Sequence, residues 1–254
     1  MIAKTRKNSL LFYTSDILTI PHAMFNRHGG RSAAPFSSLN CSYHVGDDPS
    51  AVKKNRELIR ETIGASAVKG ITQIHGDSIL VVNNVAQVTE TERKDAMVTD
   101  VPGIGLLIQQ ADCQAVLLHD PAKKVIGAIH SGWRGSVSNI IAKTIQCMEK
   151  EFAVRPSDIL AVISPSLGPC CGEFVNYHAE LPPNFLSFQT SKNHFDFQAI
   201  SRMQLIHAGV TEKNIDTVKK CTVCDEDFFS YRRAVRRRNG QTGRNGSIIA
   251  LPEK

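Results

Sequence analysis

The sequence predicts one α/β domain that spans residues 1–254, and two observations predict it. Segments with helical and with extended hydrophobic patterns alternate along the whole chain, an arrangement typical of α/β folds. No repeat, low-complexity tract or linker rich in proline, glycine and serine divides the 254 residues, of which 42% are hydrophobic. That composition is enough for a packed core, so we expect one larger domain rather than two small ones.

The first half of the chain contains a well-marked helix followed by strands. In DDPSAVKKNRELIRETIG, Asp48 can cap the helix N-terminus, Pro49 suits the first turn and Gly64 ends the helix. The apolar residues of this segment fall at helical spacing on one face, which we expect to pack on the core. SILVVNNV at residues 78–85 predicts a strand, and GIGLLIQ at residues 103–109 predicts another that is largely buried.

Two short apolar runs, AVLLH and VIGAIH, are joined by DPAKK and predict a β-hairpin. A turn that is symmetric about Pro121 and Ala122 would place Cys113 directly opposite His130. Directly opposed side chains in a hairpin have Cβ atoms about 4.5–5.5 Å apart. We therefore expect the thiolate and the imidazole to be close enough to share one metal ion.

The rest of the chain continues the alternation of helices and strands. SVSNIIAKTIQCMEKEF predicts one helix over residues 136–152 with Val137 on its apolar face. The preceding GWRG then joins a strand to a helix N-terminus, and we expect Trp133 to pack beneath this joint. DILAVISP predicts a strand, DFQAISRMQLIHAG predicts a helix capped by Asp196 and ended by Gly209, and SIIALP predicts a final strand.

The charge pattern limits the classes of partner. The formal net charge is +6, and YRRAVRRR carries five arginines in eight residues. A phosphate-bearing small anion fits this charge. We do not expect nucleic acid as a partner, because the other cations are interspersed with carboxylates and the chain shows neither zinc-finger spacing nor interleaved aromatic residues.

Hydropathy and cysteine usage predict a cytoplasmic protein with no membrane partner. The apolar run at residues 10–13 is too short for the core of a signal peptide. No apolar run approaches the roughly 20 residues that span a bilayer. The seven cysteines are an odd number and cannot form a complete disulfide framework, which favours a reducing compartment.

Three residues form a candidate metal site. His75, in TQIHGDS, stands just before a predicted strand and can join Cys113 and His130. Two histidines and one cysteine are typical of a catalytic zinc site whose fourth position is open to water or substrate. Single Cys and His residues in strands are also often ordinary core residues, so the spacing alone leaves both interpretations open.

The remaining cysteines predict no second metal site. CTVC, which contains Cys221 and Cys224, has no further CxxC or HxxxH nearby, so two buried thiols are the simpler interpretation. Cys170 and Cys171 are adjacent in GPCCGEF, and we expect that neighbours in sequence cannot easily bind one ion together.

Motifs spread along the whole chain carry a resemblance to a known family. RHGGRS, SSLNCSYHVGDD, QIHG, DAMVTD, ADCQAVLLHDP, GAIHSGWRG, SLGPCCGEF, FFSYRR and TGR occur in this order. In this combination the sequence resembles the bacterial proteins formerly called laccase-domain or multicopper polyphenol oxidase proteins, now described as purine nucleoside phosphorylases. The resemblance implies an α/β fold built as a mixed β-sheet sandwich with flanking helices, related to the fold of cysteine deamidase toxins.

The resemblance implies that His75, Cys113 and His130 bind the metal, the same set that their spacing suggests. It implies phosphorolysis of adenosine, inosine and methylthioadenosine to the free base and ribose 1-phosphate, with adenosine deamination as an accompanying activity. The expected cofactor is Zn²⁺, with Cu²⁺ as the alternative. The expected partners are a purine nucleoside and phosphate, and the expected state is a monomer or a weak homo-oligomer.

The sequence departs from the family pattern near this site. Ser164 stands where a glycine is usual, and Gly172 and Glu173 replace a pair that contains a tyrosine. Because these positions border the expected site, we expect them to affect substrate preference, while the three metal ligands are intact.

The chemistry of phosphorolysis nominates further residues. Phosphate is held by arginines and backbone amides, which nominates Arg56, with Asn40 as a polar contact. Asp112, next to the cysteine ligand, can orient a ligand or protonate the base, or it can be a simple turn carboxylate. Gln73 lies two residues before the first histidine ligand, so its side chain points to the same side of an extended chain and can contact the nucleoside.

Three rival functions remain open at this point. A copper oxidase of phenols would need several coppers and clustered HxH patterns, whereas the chain has nine histidines and no HxH. A metal-free hydrolase would use Cys113 as the nucleophile and His130 as the base, which leaves His75 without a role. A protein that binds a nucleotide or a metal without catalysis is the third alternative.

Overall fold

The computed structural model describes residues 1–84 and 90–253, without the side chain of Arg238. Within these residues the chain forms fourteen strands and six α-helices. The strands are β1 Ile2–Lys7, β2 Leu10–Ser15, β3 His22–Phe25, β4 Ala67–Lys69, β5 Ile79–Val81, β6 Ala96–Thr99, β7 Ile104–Gln110, β8 Gln114–Asp120, β9 Val125–Ser131, β10 Leu160–Ile163, β11 Gln189–Ser191, β12 His194–Phe195, β13 Ile215–Thr217 and β14 Asn245–Ala250. The helices are α1 Pro49–Ile63, α2 Trp133–Val137, α3 Ile140–Phe152, α4 Tyr177–Glu180, α5 Phe197–His207 and α6 Tyr231–Arg238.

Two mixed six-stranded sheets stack face to face and confirm the expected α/β sandwich. The strand order is β1-β2-β3-β14-β7-β4 in the first sheet and β13-β10-β8-β9-β6-β5 in the second, and β11 and β12 form a separate pair. In the first sheet, the edge strand β4 runs parallel to β7. In the second sheet, both edge strands are parallel to their neighbours, β5 to β6 and β13 to β10. The other neighbouring strands of the two sheets are antiparallel.

The hydrophobic core follows the alternation of side chains along the central strands. Leu106 and Ile108 belong to the buried cluster between the two sheets, whereas Leu107 belongs to the cluster beneath α1. Likewise Leu117 faces the first sheet and Leu118 faces α3 and α5. Because successive side chains of a strand point to opposite faces, both faces of each central strand are buried, as their continuous apolar runs predict.

The helix ends that were predicted from capping residues are confirmed. The Asp48 side chain accepts a hydrogen bond from the Ser50 backbone N–H at the start of α1, and Gly64 ends that helix in the left-handed region at φ 72°. Asp196 caps α5 in the same way, and Gly209 follows that helix with φ +94°. Of the strand expected at residues 78–85, only β5 is regular, and Val85 lies outside the described residues.

The predicted register of the hairpin is wrong by two residues. Asp120 pairs with Val125, and Ala115 rather than Cys113 lies opposite His130. The Asp120 carboxylate accepts hydrogen bonds from the N–H groups of the second and third turn residues, so the turn takes four residues instead of two. A shift of two leaves every side chain on its original face, so Cys113 and His130 still lie on one side as diagonal neighbours.

The single helix predicted over residues 136–152 is wrong, because the chain forms α2 and α3 with a break between them. Asn139 adopts a left-handed conformation with φ 55°, and its side chain accepts a hydrogen bond from Ala142 to start α3. Asparagine tolerates this conformation and is a strong helix cap. As a result Val137 is 38% exposed rather than on the buried face.

No helix of residues 1–84 and 90–253 combines the length and the hydropathy that a membrane crossing requires.

Candidate active site

His75, Cys113 and His130 converge from three separate segments. His75 lies in a turn with φ +59°, Cys113 immediately precedes β8, and His130 lies near the end of β9. Their ligand atoms all lie within 4.8 Å of one another, and Cys113 Sγ is 3.8 Å from His75 Nε2. The structure therefore brings together the three residues that the sequence nominated as metal ligands.

The donor set fits a tetrahedral zinc ion. Zinc bonds of about 2.3 Å to sulfur and about 2.0–2.1 Å to nitrogen place the two ligand atoms about 3.5 Å apart at a tetrahedral angle. The observed separation of Cys113 Sγ and His75 Nε2 is 3.8 Å. Two imidazoles and one thiolate also leave a fourth position for a substrate, as in catalytic zinc sites.

A buried carboxylate, Asp95, orients two of the three candidate ligands. Its Oδ1 accepts hydrogen bonds from His130 Nδ1 at 2.9 Å and from the His75 backbone N–H at 2.9 Å. Its Oδ2 accepts hydrogen bonds from the N–H groups of Gly76 at 2.7 Å and Ile74 at 3.3 Å. A carboxylate on the far nitrogen of a ligating histidine fixes the tautomer and ring orientation, so Nε2 of His130 faces the other ligands.

Sequence reasoning missed Asp95 as a site residue, although DAMVTD was among the motifs that carried the resemblance. Its carboxylate has 0% exposure and lies 35 positions before His130. A buried aspartate just before an apolar strand was the available signal, because a carboxylate inside a core needs several donors.

The electrostatics of the group favour a thiolate beside an imidazolium. Burial raises the pKa of Cys113, but His130 and then His75 lower it to about 6. Burial lowers the pKa of His130, whereas the Cys113 thiolate and the Asp95 carboxylate raise it to about 9. The two shifts are two sides of one interaction, and a thiolate is the form of cysteine that binds metals and acts as a nucleophile.

Gly132 is required by the close approach of the ligands. A Cβ at this position would lie 3.0 Å from His75 Cδ2 and 3.1 Å from Cys113 Sγ. Trp133 follows as the first residue of α2 and is half-buried, with its ring edge-on to Phe174 and the Arg134 guanidinium stacked over it. The expectation that Trp133 packs beneath the joint is therefore only partly met, since the indole also lines an open cleft.

Two clefts meet at the ligand group. The aromatic cleft has a volume of about 460 Å³, and the polar cleft about 500 Å³. His75, Cys113 and Tyr231 line both. The aromatic cleft is lined by the apolar side chains of Trp133, Phe174, Phe197 and Val235. The polar cleft is lined by Ser42, His44, Gln73, Gln109, Gln110 and Arg244.

Arg244 is the arginine of the polar cleft, and sequence reasoning did not nominate it. It is part of the TGR motif, and its charge interacts with Cys113 and Asp112. Burial lowers the pKa of Arg244 while these acidic groups raise it. Its Nη1 donates to the carbonyls of Thr242 and Gly243, which holds the guanidinium in place.

Asn40 and Gln73 support the polar cleft through backbone contacts. Asn40 is fully buried, and its Oδ1 accepts a hydrogen bond from the Arg244 backbone N–H at 2.9 Å. Gln73 lines the cleft, and its amide donates to the Gln109 carbonyl at 2.7 Å and accepts from the Gln109 N–H at 2.8 Å. Both side chains therefore position the cleft walls, and Gln73 also presents a surface to the cleft.

Asp112 lines the aromatic cleft with both carboxylate oxygens engaged. Oδ1 accepts from the Thr222 hydroxyl at 2.7 Å, and Oδ2 accepts from the Arg232 backbone N–H at 2.7 Å. Asp112 has a positive φ of 87°, so the turn before Cys113 is held by this carboxylate. The residue thus fixes the start of α6 against the cysteine ligand.

Arg56 lies apart from the two clefts. Its Nε donates to the Cys41 carbonyl at 2.7 Å, its Nη1 forms an ion pair with Glu90, and its guanidinium stacks on Tyr43. It lines a third cavity with Glu57 and Glu90. Arg244, and not the nominated Arg56, lines a cleft together with the three candidate ligands.

The residues that depart from the family pattern, Ser164, Gly172 and Glu173, each contact the backbone or side chain of a neighbouring segment. The buried Ser164 hydroxyl accepts a hydrogen bond from the Ala115 N–H at 2.8 Å, at the start of β8. At Gly172 a Cβ would lie 2.5 Å from the Phe195 carbonyl oxygen. The Glu173 carbonyl accepts hydrogen bonds from Arg232, which links this position to the wall of the aromatic cleft.

The expectation that Cys221 and Cys224 are two buried thiols is wrong, because they lie with Cys170 and Cys171 in one partly exposed group. The sulfur atoms of Cys170, Cys171, Cys221 and Cys224 all lie within 4.8 Å of one another. Cys170 and Cys224 are exposed and the other two are partly exposed, so they are not a pair of buried thiols. Separation in sequence hid the group, because a turn at residues 168–171 and the CTVC turn meet only in the fold.

The fold and the site define an α/β sandwich protein with a potential His/Cys metal-binding group open to two clefts. The chain belongs to the family described as multi-copper polyphenol oxidoreductase laccase, whose model matches residues 21–252. This confirms the resemblance noted from the motifs.

Named relatives and solved structures agree with this assignment. The chain is 36% identical over 236 residues to a purine nucleoside phosphorylase of Corynebacterium glutamicum, covering 90% of this chain and 93% of that protein. It is 34% identical to a purine nucleoside phosphorylase of Deinococcus radiodurans, covering 93% and 91%. The crystal structure of YlmD from Geobacillus stearothermophilus superposes with a TM-score of 0.88 at 29% identity, covering 98% of each chain.

Proposed function

We propose that this protein is a zinc-dependent, cytoplasmic purine nucleoside phosphorylase that acts on adenosine, inosine and methylthioadenosine, with adenosine deamination as a side activity. The observation that carries the proposal is the ligand group His75, Cys113 and His130 at the junction of an aromatic and a polar cleft. The relatives named purine nucleoside phosphorylase support the same reaction.

The two clefts match the two substrates. A purine base is flat and aromatic, and it would stack in the cleft that contains Trp133, Phe174 and Tyr231. Phosphate is an anion, and it would bind in the polar cleft that contains Arg244. The ribose would then span the junction at His75 and Cys113, which line both clefts.

Phosphorolysis forms a bond from a phosphate oxygen to C1′ and breaks the bond from C1′ to the base nitrogen. The departing base takes the bonding electron pair, and the proton that it requires balances the one that dihydrogen phosphate loses when its oxygen bonds to C1′. Arg244 would orient phosphate toward C1′ and neutralise part of its charge. Asp112 accepts hydrogen bonds at both oxygens, which supports a positioning role for it rather than the role of proton donor.

A zinc ion held by His75, Cys113 and His130 would supply Lewis acidity at the junction of the clefts. Asp95 would keep His130 in the ligating tautomer through its hydrogen bond to Nδ1. The aromatic walls would keep water away from the sugar, which strengthens the electrostatic contacts of Arg244 and Asp95.

A second candidate is a metal-free hydrolase with Cys113 as the nucleophile and His130 as the base. The lowered pKa of the Cys113 thiol, about 6, favours it. The two candidates differ at His75, which would bind the metal in the phosphorylase and would only help to stabilise the Cys113 thiolate in the hydrolase. A multicopper oxidase ranks lower, because the His/Cys group of the described residues contains only two of the nine histidines.

The deciding experiment incubates protein of known zinc content with adenosine, with and without phosphate, and separates the products by chromatography. Phosphate-dependent adenine and ribose 1-phosphate, lost in both Cys113→Ala and His75→Ala, would support the phosphorylase. Full activity in His75→Ala, or activity that survives removal of zinc, would refute the metal-dependent proposal. Inosine as the main product would instead make the protein a deaminase.

A further inference from the structure

We propose that Cys170, Cys171, Cys221 and Cys224 bind a structural zinc ion, separate from the ion at the candidate active site. The four residues come from two turns, at residues 168–171 and 221–225. The first turn is closed by a hydrogen bond from the Cys171 N–H to the Gly168 carbonyl, and the second by one from the Asp225 N–H to the Cys221 carbonyl.

The distances between the sulfur atoms match one tetrahedral ion. Cys224 Sγ lies 3.6 Å from Cys170 Sγ and 3.5 Å from Cys171 Sγ, and all four sulfurs lie within 4.8 Å of one another. Four zinc–sulfur bonds of about 2.3 Å at tetrahedral angles separate the sulfurs by about 3.8 Å. A disulfide requires a separation of about 2.05 Å, which is far shorter than the two distances.

The backbone around Cys221 is arranged to receive a thiolate. The backbone N–H groups of Gly168, Val223 and Cys224 lie around its sulfur and favour the thiolate. Donors two and three residues after the first cysteine of a CxxC turn offset the charge that a thiolate brings, as hydrogen bonds around metal-bound groups generally do. Gly168 also permits the close approach, because a Cβ there would lie 2.9 Å from Cys221 Cβ.

The two turns are already tied together by the backbone. The Thr222 N–H donates to the Ser166 carbonyl at 2.9 Å, and the Ser166 N–H donates to the Lys220 carbonyl at 3.2 Å. This short pairing fixes the position of one turn relative to the other. The four thiols are therefore brought together by contacts that do not involve their sulfur atoms.

The cysteine group supports the wall of the aromatic cleft. Arg232 Nη1 donates to the Cys171 carbonyl at 2.9 Å, and Arg233 Nη1 donates to the Thr222 carbonyl at 2.6 Å. Both arginines belong to α6, whose residues Tyr231 and Arg232 line that cleft. The Thr222 hydroxyl also donates to Asp112, next to the cysteine ligand of the active site. An ion that joins the two turns would therefore hold α6 and Asp112 in place.

Zinc is the ion that four thiolates in this arrangement favour. Four cysteines complete a tetrahedron and leave no position open, which is the pattern of structural rather than catalytic zinc. The proposal is independent of the activity, because it rests on residues that do not line the candidate catalytic junction.

The test measures zinc per chain in protein purified without added chelator. Two zinc ions per chain are expected, one for each group of ligands. Cys221→Ser is expected to lose one equivalent and to lower the melting temperature by roughly 5–10 °C. His75→Ala is expected to lose the other equivalent and to keep the one bound by the cysteines. Cys147→Ser, which changes a thiol outside both groups, is the matched control and is expected to keep both.

Two measurements that do not use Cys221→Ser keep the test decisive if that variant fails to fold. Titration of the denatured, chelator-treated protein should give all seven cysteines as free thiols. Cobalt in place of zinc in His75→Ala should give the strong thiolate charge-transfer bands of a four-sulfur site. One zinc per chain that disappears in His75→Ala, iron in place of zinc, or fewer than seven free thiols would overturn the proposal.

Discussion

Replacing Asp95 with asparagine should weaken zinc binding without altering any ligand. The carboxylate accepts hydrogen bonds from His130 Nδ1 and from three backbone N–H groups, those of Ile74, His75 and Gly76. An asparagine can keep the hydrogen bond between its oxygen and His130 Nδ1. Its NH₂ group then faces the backbone N–H groups of Ile74 and Gly76, which in the wild type donate hydrogen bonds to Oδ2. Two donors would oppose each other in a site with 0% exposure.

The size of the effect follows from these contacts. Loss of a carboxylate that orients a ligating histidine typically costs 10–100-fold in metal affinity, or about 1.4–2.7 kcal/mol. Each buried donor left without an acceptor costs about 1–3 kcal/mol of folding free energy. With one or two such donors, the melting temperature should fall by roughly 2–20 °C.

The assay is competition for zinc between the protein and a chelator of known affinity, together with thermal unfolding of the zinc-loaded and zinc-free forms. Asp77→Asn is the matched control, because Asp77 lies two residues after His75 but pairs with Lys143 at the surface. Asp77→Asn should change zinc affinity less than twofold. Zinc affinity in Asp95→Asn within twofold of the wild type would refute the assigned role of the carboxylate.

Four further results are expected. Gly132→Ala should reduce zinc affinity about tenfold, because the added Cβ would lie only 3.0 and 3.1 Å from atoms of two candidate ligands. Gly76→Ala should leave the affinity unchanged, because its nearest contact would be at 3.4 Å. Competition with a chelator measures both variants, and equal zinc affinities would contradict the steric argument. Arg244→Ala should raise KM for phosphate about 10–100-fold, since a charge-assisted hydrogen bond contributes about 1.5–3 kcal/mol, and an unchanged KM would place phosphate elsewhere. In zinc-free protein, burial raises the pKa of Cys113 but the neighbouring histidines lower it to about 6. The absorbance of the Cys113 thiolate and its contribution to stability should therefore be lost as the pH falls through about 6. A titration midpoint of the thiolate near pH 9 would contradict this. Fluorescence of Trp133, the only tryptophan, should change when a purine nucleoside binds, and no change at saturation would move the base out of the aromatic cleft.

Local sequence signals predicted much of the fold because short-range contacts decide helix ends. The Asp48 carboxylate contacts an N–H only two residues away, and Gly64 needs only its own left-handed backbone. The failures occurred where a local signal was misinterpreted. Asn139 was treated as part of a helix although it caps the next one, and Asp120 lengthened a turn that was assumed to be symmetric.

The three converging residues could be nominated from sequence because Cys113 and His130 fall on one side of the predicted hairpin, and a two-residue error in register preserves the face. Arg244 could not, since the residue that positions its backbone, Asn40, lies 204 positions away. The four-cysteine group could not for the same reason, because 53 positions separate Cys171 from Cys224.

The sequence by itself determined the class of fold, the family, the ends of two helices and the three residues that converge at the candidate active site, His75, Cys113 and His130. These depend on hydrophobic period, on capping groups a few residues apart and on motifs that are continuous in the chain. Only the tertiary structure decided that Asp95 orients His130, that Arg244 rather than Arg56 lies beside the ligands, and that the two clefts meet at Cys113. Each of these depends on distances between segments remote in sequence, which are set when the two sheets pack together and not by any local pattern.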